Sequence, residues 1–150
     1  MRAALKQRIR AWLISDALPL WRGIGVDDEG FGVFEALDHQ GAPRADLPKR
    51  LRVQARQVYV FAETDRVFGA GDGPLAARLF ADLWEIGFVE TGGRLAAATD
   101  RAGAPLSTPH DLYDLAFMIF AAAALPDGAN RRGDELWRAL GQLKAERGWR

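Results

Sequence analysis

Cysteine is absent from this chain of 150 residues, and histidine occurs only twice, at His39 and His110. Without cysteine the chain forms no disulfide and has neither a thiolate metal ligand nor a cysteine nucleophile. Two histidines are too few for a metal site built on imidazole ligands. The composition therefore excludes disulfide-stabilised and thiol-dependent classes of protein, and we expect no metal site.

An excess of charge of one sign is also lacking, because 20 Lys and Arg residues balance 20 Asp and Glu residues. A neutral chain gives no electrostatic reason to bind nucleic acid or an anionic membrane. The longest apolar run, 115–125, is too short to span a bilayer. Charges throughout residues 1–10 are untypical of a signal peptide. We therefore expect a cytoplasmic protein that binds neither nucleic acid nor membrane.

Two passages of the chain resemble each other. GFGVFEALDHQGAP at 30–43 and GGRLAAATDRAGAP at 92–105 both begin with glycine, carry aspartate at the ninth place and end in Gly-Ala-Pro. Each is followed by a strongly apolar segment, at 54–62 and at 115–123, so the repeat distance is about 60 residues. A period of this size is typical of repeated supersecondary units.

Apolar spacing predicts five helices, at about 2–18, 47–62, 74–88, 109–125 and 130–147. In the first, third and fifth of them the apolar residues follow one stripe. In the second and fourth they occupy most of the circumference, which is typical of a helix buried among other helices. Thr108 and Asp111 resemble a capping arrangement before the fourth helix. The connectors before the second and fourth helices are interpreted as short β-hairpins or extended loops.

Half-exposed and buried helices alternate along the chain, which favours an all-α fold of two concentric layers. The inner helices of such a fold are buried only if neighbouring units continue or the ring closes. A toroid of six hairpins with this repeat needs roughly 370 residues. We therefore expect residues 1–150 to form a single partial domain, whether as a fragment, a truncated product or one half of a split protein.

Four segments in this order, GFGVFEALDHQGAP, VQARQVYVFA, GGRLAAATDRAGAP and LYDLAFMIFAAAAL, resemble the N-acylglucosamine 2-epimerase superfamily. That superfamily includes sugar 2-epimerases, mannose isomerases and cellobiose 2-epimerases. The similarity covers essentially the whole chain but only the N-terminal part of the family. It implies a partial (α/α)6 barrel and a monosaccharide or amino-sugar substrate. It also implies aldose–ketose isomerisation or C2 epimerisation through a cis-enediolate, with no metal or redox cofactor.

The resemblance also assigns site residues. Arg56 matches the arginine that contacts substrate oxygens in the barrel cleft, and Tyr113 matches a tyrosine that lines the sugar pocket. The histidines that transfer protons in the family belong to later inner helices, and neither His39 nor His110 matches them. We therefore expect no catalytic residue in this chain, and no turnover by it alone. The protein partner expected is a second copy or a C-terminal complementing segment.

The residues alone allow plainer interpretations. Arg56 lies in a strongly apolar segment, where a buried charge is usually paired, and Asp114 or Glu63 would be its partner. Tyr113 near the start of a buried helix is typical of a core residue with its hydroxyl at the edge.

Two other function classes stay open at this point. The missing proton-transfer histidines would also suit a non-catalytic helical-repeat module or a degenerate paralogue. A glycoside hydrolase or lyase on the same toroid would need a pair of acid and base carboxylates, and the sequence offers no obvious pair.

Phe117 and Phe120, at helical spacing, are expected to be core residues.

Overall fold

The structure is a computed structural model that describes residues 2–86, 96–106, 111–126, 129–144, 146 and 148. Within these ranges the chain forms six α-helices and two short strands: α1 (Arg2–Trp12), α2 (Leu18–Leu20), β1 (Lys49–Arg50), α3 (Leu51–Phe68), α4 (Gly73–Trp84), β2 (Ala98–Thr99), α5 (Leu112–Ala124) and α6 (Ala129–Gln142). The expected all-α class and the short β connectors are confirmed. None of the described helices is long and apolar enough to cross a membrane.

The core lies where α3 and α5 pack side by side, with α4 against α3 and α6 against α5. Its centre consists of fully buried apolar side chains from all four helices: Ala55, Val58, Phe61, Leu79, Phe80, Leu115, Met118, Ala121 and Leu136. Burying one large side chain of this kind stabilises the fold by about 1.5–3 kcal/mol. The arrangement leaves α3 and α5 as a central pair, with α4 and α6 packed on them.

The helical path at the N-terminus is longer than predicted. Helix α1 is followed by a π-helical segment (Leu13–Ala17), then α2, then a second π-helical segment (Trp21–Gly25). The predicted end at 18 was wrong because Pro19 interrupts the apolar pattern. In the structure Pro19 lies in the first turn of α2, where its missing N–H is tolerated.

Helix α3 begins at Leu51 instead of 47 and continues to Phe68 instead of 62. It starts late because the two residues before it form β1, which pairs antiparallel with β2. It ends at Gly69, whose φ of 64° suits a glycine and whose N–H donates to the carbonyl of Asp65 at 2.8 Å. The prediction stopped at the end of the apolar run, whereas the helix continues through a polar segment.

Helix α5 begins at Leu112, later than the predicted 109, and Asp111 is its N-cap. The Asp111 carboxylate accepts the Asp114 N–H at 2.9 Å, and the Asp114 carboxylate accepts the Asp111 N–H at 3.2 Å. This reciprocal pair is a capping box formed by two aspartates. Residues 107–110, including the predicted cap Thr108, lie outside the described residues.

The bounds of the two remaining helices also differ from the prediction. Helix α4 begins at Gly73, one residue earlier than expected, and its α-helical part ends at Trp84. Residues 87–95, which hold the predicted end at 88 and the start of the second repeat, lie outside the described residues. Helix α6 ends at Gln142 instead of 147. Apolar periodicity therefore located each helix but not its ends.

The two repeated passages form the same turn. The N–H of Asp38 donates to the carbonyl of Ala42 at 2.9 Å, and the Asp38 carboxylate accepts the Ala42 N–H at 2.9 Å. In the second passage Asp100 and Ala104 make the same two bonds, at 3.0 and 2.9 Å. Both turns are closed by an isolated β-bridge to the proline of Gly-Ala-Pro. The sequence repeat is therefore also a structural repeat.

A buried charge cluster joins the two connectors. The Lys49 ammonium lies 2.8 Å from the Asp27 carboxylate, which also accepts two bonds from Arg101, both at 2.8 Å. Asp27 and Lys49 are buried, and the ammonium also lies 4.9 Å from the centroid of the Phe31 ring. The hydrogen bond from Arg101, together with Lys49, holds the pKa of Asp27 well below its usual range. The cluster fixes the first connector against the second.

Candidate functional site

Arg56 lies on an open face of α3, and its side chain is exposed. The expectation that an apolar segment would bury this arginine was wrong. Arg52, Arg56 and Tyr59 are spaced i, i+4 and i+7, so they share one face of the helix. The core positions of α3, including Ala55 and Val58, face the other way. Helix α3 therefore has two faces that carry apolar side chains. One is buried in the core, and the other, which also carries Arg56, is open.

The structure brings Arg56 and Tyr113 together. One terminal nitrogen of the Arg56 guanidinium donates a hydrogen bond to the Tyr113 hydroxyl. The guanidinium carbon lies 4.3 Å from the centroid of the Phe117 ring and 5.5 Å from that of Tyr113. Such distances allow cation–π attraction to both rings. Two residues that are 57 positions apart in the sequence therefore form one contact between α3 and α5.

The expected carboxylate partners of Arg56 pair with other arginines. Asp114 lies 2.9 Å from Arg52, and Glu63 lies 2.7 Å from Arg66. Within the part of the chain that the structure describes, Arg56 forms no ion pair. The plainer interpretation of Arg56 as a buried, paired charge is therefore wrong on both counts.

A continuous row of four aromatic rings lies along α3 and α5: Tyr59, Tyr113, Phe117 and Phe120. Tyr113 and Phe117 meet edge to face at 4.9 Å, Phe117 and Phe120 meet edge to face at 6.5 Å, and Phe120 stacks on Tyr59 at 3.9 Å. Tyr113 is 46% exposed and Phe120 is 47% exposed. Phe117 is partly buried against the core. The expectation that Phe120 is a core residue was wrong, because this ring lies on the open face.

Arg52 is a site residue that sequence reasoning missed. Its Nε lies 2.9 Å from an Asp114 oxygen, although the two groups are not aligned as a hydrogen bond. Its guanidinium carbon lies 5.3 Å from the centroid of the Tyr113 ring. The available signal was its spacing, because Arg52 precedes Arg56 by one helical turn.

The pKa values of the two aspartates in the capping box are shifted in opposite directions. Burial raises the pKa of Asp114, whose side chain is 1% exposed. The hydrogen bond from the Asp114 backbone lowers the pKa of Asp111. An open depression of about 440 Å³, lined by Asp111, Leu112, Tyr113 and Ala116, adjoins this helix start. The Tyr113 side chain borders this depression and is open to solvent.

Among the described residues, the contact between Arg56 and Tyr113 involves no histidine. His39 lies in the exposed turn of the first connector, and His110 lies outside the described residues. Among the residues that the structure describes, no group of three or more His, Asp or Glu side chains could hold a metal ion.

Residues 32–149 match the family model described as N-acylglucosamine 2-epimerase (GlcNAc 2-epimerase). The chain belongs to the N-acylglucosamine 2-epimerase family. A curated relative of this epimerase-family chain is the mannose-6-phosphate isomerase of Rhizobium meliloti (strain 1021). The two are 38% identical over 128 residues, which cover 85% of this chain and 33% of the relative.

Solved structures of similar shape include three sugar epimerases. A sugar epimerase from a ruminal bacterium has a TM-score of 0.70 at 25% identity, covering 85% of this chain and 35% of that one. The cellobiose 2-epimerase of Spirochaeta thermophila DSM 6192 has a TM-score of 0.79 at 23% identity, covering 94% and 35%. That of Bacillus thermoamylovorans B4167 has a TM-score of 0.79 at 18% identity, covering 98% and 40%.

These similarities confirm the predicted architecture as part of an (α/α)6 barrel. They also confirm the family that the four sequence segments indicated, of which the chain matches the N-terminal part. The chain spans about a third of the length of the curated relative.

Proposed function

We propose that this chain supplies the sugar-binding arginine–tyrosine side of an isomerase or 2-epimerase active site, with Arg56 and Tyr113 as substrate-binding residues. The observation that supports it best is the direct contact of these two residues on an exposed face beside an open depression. An arginine that is exposed and forms no ion pair among the described residues is available to ligand oxygens. Family membership adds the substrate class, which is a sugar.

The proposed chemistry begins with a ring-opened aldose, from which a base removes the proton on C2. A cis-enediolate forms. Return of the proton at C2 gives the epimer, whereas its return at C1, with transfer of the hydroxyl proton from O2 to O1, gives the ketose. Negative charge develops on the carbonyl oxygen of C1 during the first step. A guanidinium placed beside that oxygen stabilises the transition state more than the ground state, which is how an oxyanion site accelerates a reaction.

The aromatic row gives the site a second means of binding a sugar. Exposed rings such as Tyr113 and Phe120 pack against the apolar C–H face of a pyranose, while polar groups beside them bind its hydroxyls. The substrate we propose is a monosaccharide or amino sugar. The relatives carry the names of mannose 6-phosphate and cellobiose enzymes, so a phosphorylated sugar and a disaccharide belong in the same panel.

The groups that move the proton are proposed to lie outside these 150 residues, on later helices of a complete barrel. Residues 1–150 would then be a single partial domain that needs a C-terminal complementing segment for turnover. Self-association with a second copy is the other partnership proposed, and it would not supply those groups. A cytoplasmic location stays a prediction.

The test is to combine the chain with the remaining C-terminal part of the Rhizobium meliloti relative. Aldose–ketose and C2-epimer interconversion are measured for mannose, mannose 6-phosphate, N-acetylglucosamine and cellobiose. We expect no turnover by either part alone and turnover of at least one sugar by the combination. Absence of turnover in every setting would remove the proposal that the chain serves an isomerase.

A second candidate is a non-catalytic module that binds a sugar without converting it. The observation in its favour is the position of His39, the one histidine that the structure describes, in an exposed connector turn. Sugar binding by the chain that depends on Arg56, with no turnover in any combination, would favour this candidate over the enzyme.

A further inference from the structure

Two arginines from successive turns of α3 contact one aromatic ring of α5. The guanidinium carbons of Arg52 and Arg56 lie 5.3 and 5.5 Å from the centroid of the Tyr113 ring. Only Arg56 donates a hydrogen bond to the Tyr113 hydroxyl. The two arginines therefore share a neighbour but differ in what they do to it.

The two arginines also differ in their charge environment. The Arg52 side chain is 29% exposed and lies 2.9 Å from Asp114 and 3.8 Å from Asp111. Arg56 is exposed and forms no ion pair among the described residues. The charge of Arg52 is thus neutralised in place, whereas the charge of Arg56 stays available to a ligand.

Asp114 connects Arg52 to the start of α5. One of its carboxylate oxygens accepts the Asp111 N–H and completes the capping box, and the other faces Arg52. Tyr113 is the residue directly before it, so the backbone that carries the phenol ring is fixed by the same carboxylate. Burying such an ion pair costs desolvation energy and adds little net stability. A pair of this kind is better explained by the geometry that it imposes.

The direction of the hydrogen bond at Tyr113 limits what the site can bind. Arginine has only donors, so the phenol oxygen must accept from Arg56. The phenol O–H is then left to donate to another group. Arg56 and Tyr113 together present donors, which select the acceptor oxygens of a hydroxyl, carbonyl or phosphate group.

We propose that Arg52, held by the buried carboxylate of Asp114, is a positioning residue that orients Tyr113 to accept from Arg56 and to donate to the sugar. This inference rests on the proposed function for its ligand. The placement of Tyr113 by Arg52 is a property of the free chain, so it can be measured without any sugar.

The first measurement uses the fact that the chain has only two tyrosines, Tyr59 and Tyr113. Ring-13C-labelled tyrosine gives two sets of NMR signals, and Tyr59→Phe assigns them. We expect Arg52→Gln to move the Tyr113 ring signals and to leave those of Tyr59, stacked on Phe120, in place. Unchanged Tyr113 signals in Arg52→Gln would overturn the proposal.

The matched control is Arg66→Gln, which removes an equal charge from the same helix. Arg66 is 67% exposed and pairs with Glu63 at the far end of α3, so we expect neither tyrosine to respond. If Arg52→Gln fails to fold, Arg52→Lys takes its place with the same two outcomes. It keeps a cation beside Asp114 and removes the planar group from the Tyr113 ring.

The second measurement is a double-mutant cycle on sugar affinity, read for every variant from the mannose signals during titration, because Tyr113→Phe has no Tyr113 signals. Arg52→Gln and Tyr113→Phe are each expected to weaken binding about tenfold, or ~1.4 kcal/mol. The double variant, titrated by the ligand signals, should bind no worse than either single variant, because Arg52 acts through the phenol. Additive losses would show that Arg52 binds the sugar itself and would overturn the positioning role.

The two proposals fail in different ways. Tyr113 signals that respond to Arg52→Gln but to no sugar of the panel would support the positioning role and contradict the proposed function. Signals that respond to a sugar but not to Arg52→Gln would overturn the positioning role alone.

Discussion

Arg56 stands among apolar residues in the sequence, yet its side chain is exposed in the structure. Apolar residues surround it in the sequence because one face of α3 forms the core and the open face carries Tyr59, which stacks on Phe120. A charge on the open face needs no partner to be tolerated, and Arg56 forms no ion pair in the described part of the chain. What it contacts is the hydroxyl of Tyr113 and the ring of Phe117.

Arg56→Gln is expected to leave the stability of the chain nearly unchanged. Substitutions of exposed residues away from buried networks usually change the free energy of unfolding by less than about 0.5 kcal/mol. Urea unfolding followed by circular dichroism measures the difference between the variant and the wild-type chain. A loss of more than about 2 kcal/mol would mean that Arg56 is a structural residue and would contradict its assignment to the ligand.

Asp27 gives the stability of the chain a defined dependence on pH. Arg101 and Lys49 lower its pKa, so the folded state holds this proton less tightly than the unfolded chain does. The stabilisation from Asp27 is complete above the pKa that this carboxyl has in the unfolded chain, which is about 4. It is lost as the pH falls from there towards the folded pKa.

Asp27→Asn is therefore expected to cost about 3 kcal/mol at pH 7, because it leaves Lys49 and Arg101 without their carboxylate. The difference in the free energy of unfolding between variant and wild type, which is the gap to be measured, should narrow as the pH is lowered from about 4 to 3. The raised pKa of Asp114 acts with the opposite sign, but equally in both proteins. Urea unfolding at each pH measures the gap, and a gap that stays constant down to pH 3 would contradict the account.

At the scale of elements, the repeated turns offer a matched pair of glycines. Gly41 and Gly103 have φ of 83° and 98°, a region that costs other residues about 1–2 kcal/mol. A Cβ at Gly103 would also lie 2.9 Å from Ile86 Cδ1, whereas a Cβ at Gly41 meets only Leu20 Cδ1 at 4.0 Å.

Both Gly41→Ala and Gly103→Ala are thus expected to destabilise the chain, with the larger loss at Gly103. The shared part of the loss comes from the backbone, and the extra part comes from the contact with Ile86. Urea midpoints of the two variants measure this difference. Equal losses would mean that Ile86 moves aside freely, and a stabilised Gly41→Ala would contradict the turn geometry itself.

Much of the fold followed from the sequence because the repeat and the helical periodicity are local patterns. The two connectors, which carry the turns at Asp38 and Asp100, and all the long helices were predicted in place. Helix ends were not, since they depend on contacts such as the strand pairing that delays α3 and the capping box of α5.

The candidate site was predictable only where a residue type stood out. Arg56 and Tyr113 were found through the family resemblance, and the structure places them in contact. Arg52 was missed because its spacing of one helical turn from Arg56 does not show which carboxylate and which ring it contacts in space. Phe120 was misplaced because helical spacing identifies an apolar face without showing whether that face is covered.

At the scale of the whole molecule, apolar surface is open at α1 as well as along the aromatic row. Leu5, Ile9 and Trp12 share a face of α1 and are 55%, 55% and 59% exposed. Contiguous apolar surface of this kind favours association. We expect the isolated chain of 16.5 kDa to self-associate in light scattering as its concentration rises. A stable monomer across the concentration range would contradict the view that this surface needs a cover.

The central claim is that Arg56 binds the sugar in an isomerase or epimerase site. It is tested most directly by comparing Arg56→Gln with Arg66→Gln in the chain combined with the C-terminal part of its relative. Loss of one oxyanion-stabilising donor costs on the order of 10²–10³ in turnover. The account predicts a loss of that size for Arg56→Gln and none for Arg66→Gln, and equal turnover by the two variants would contradict it.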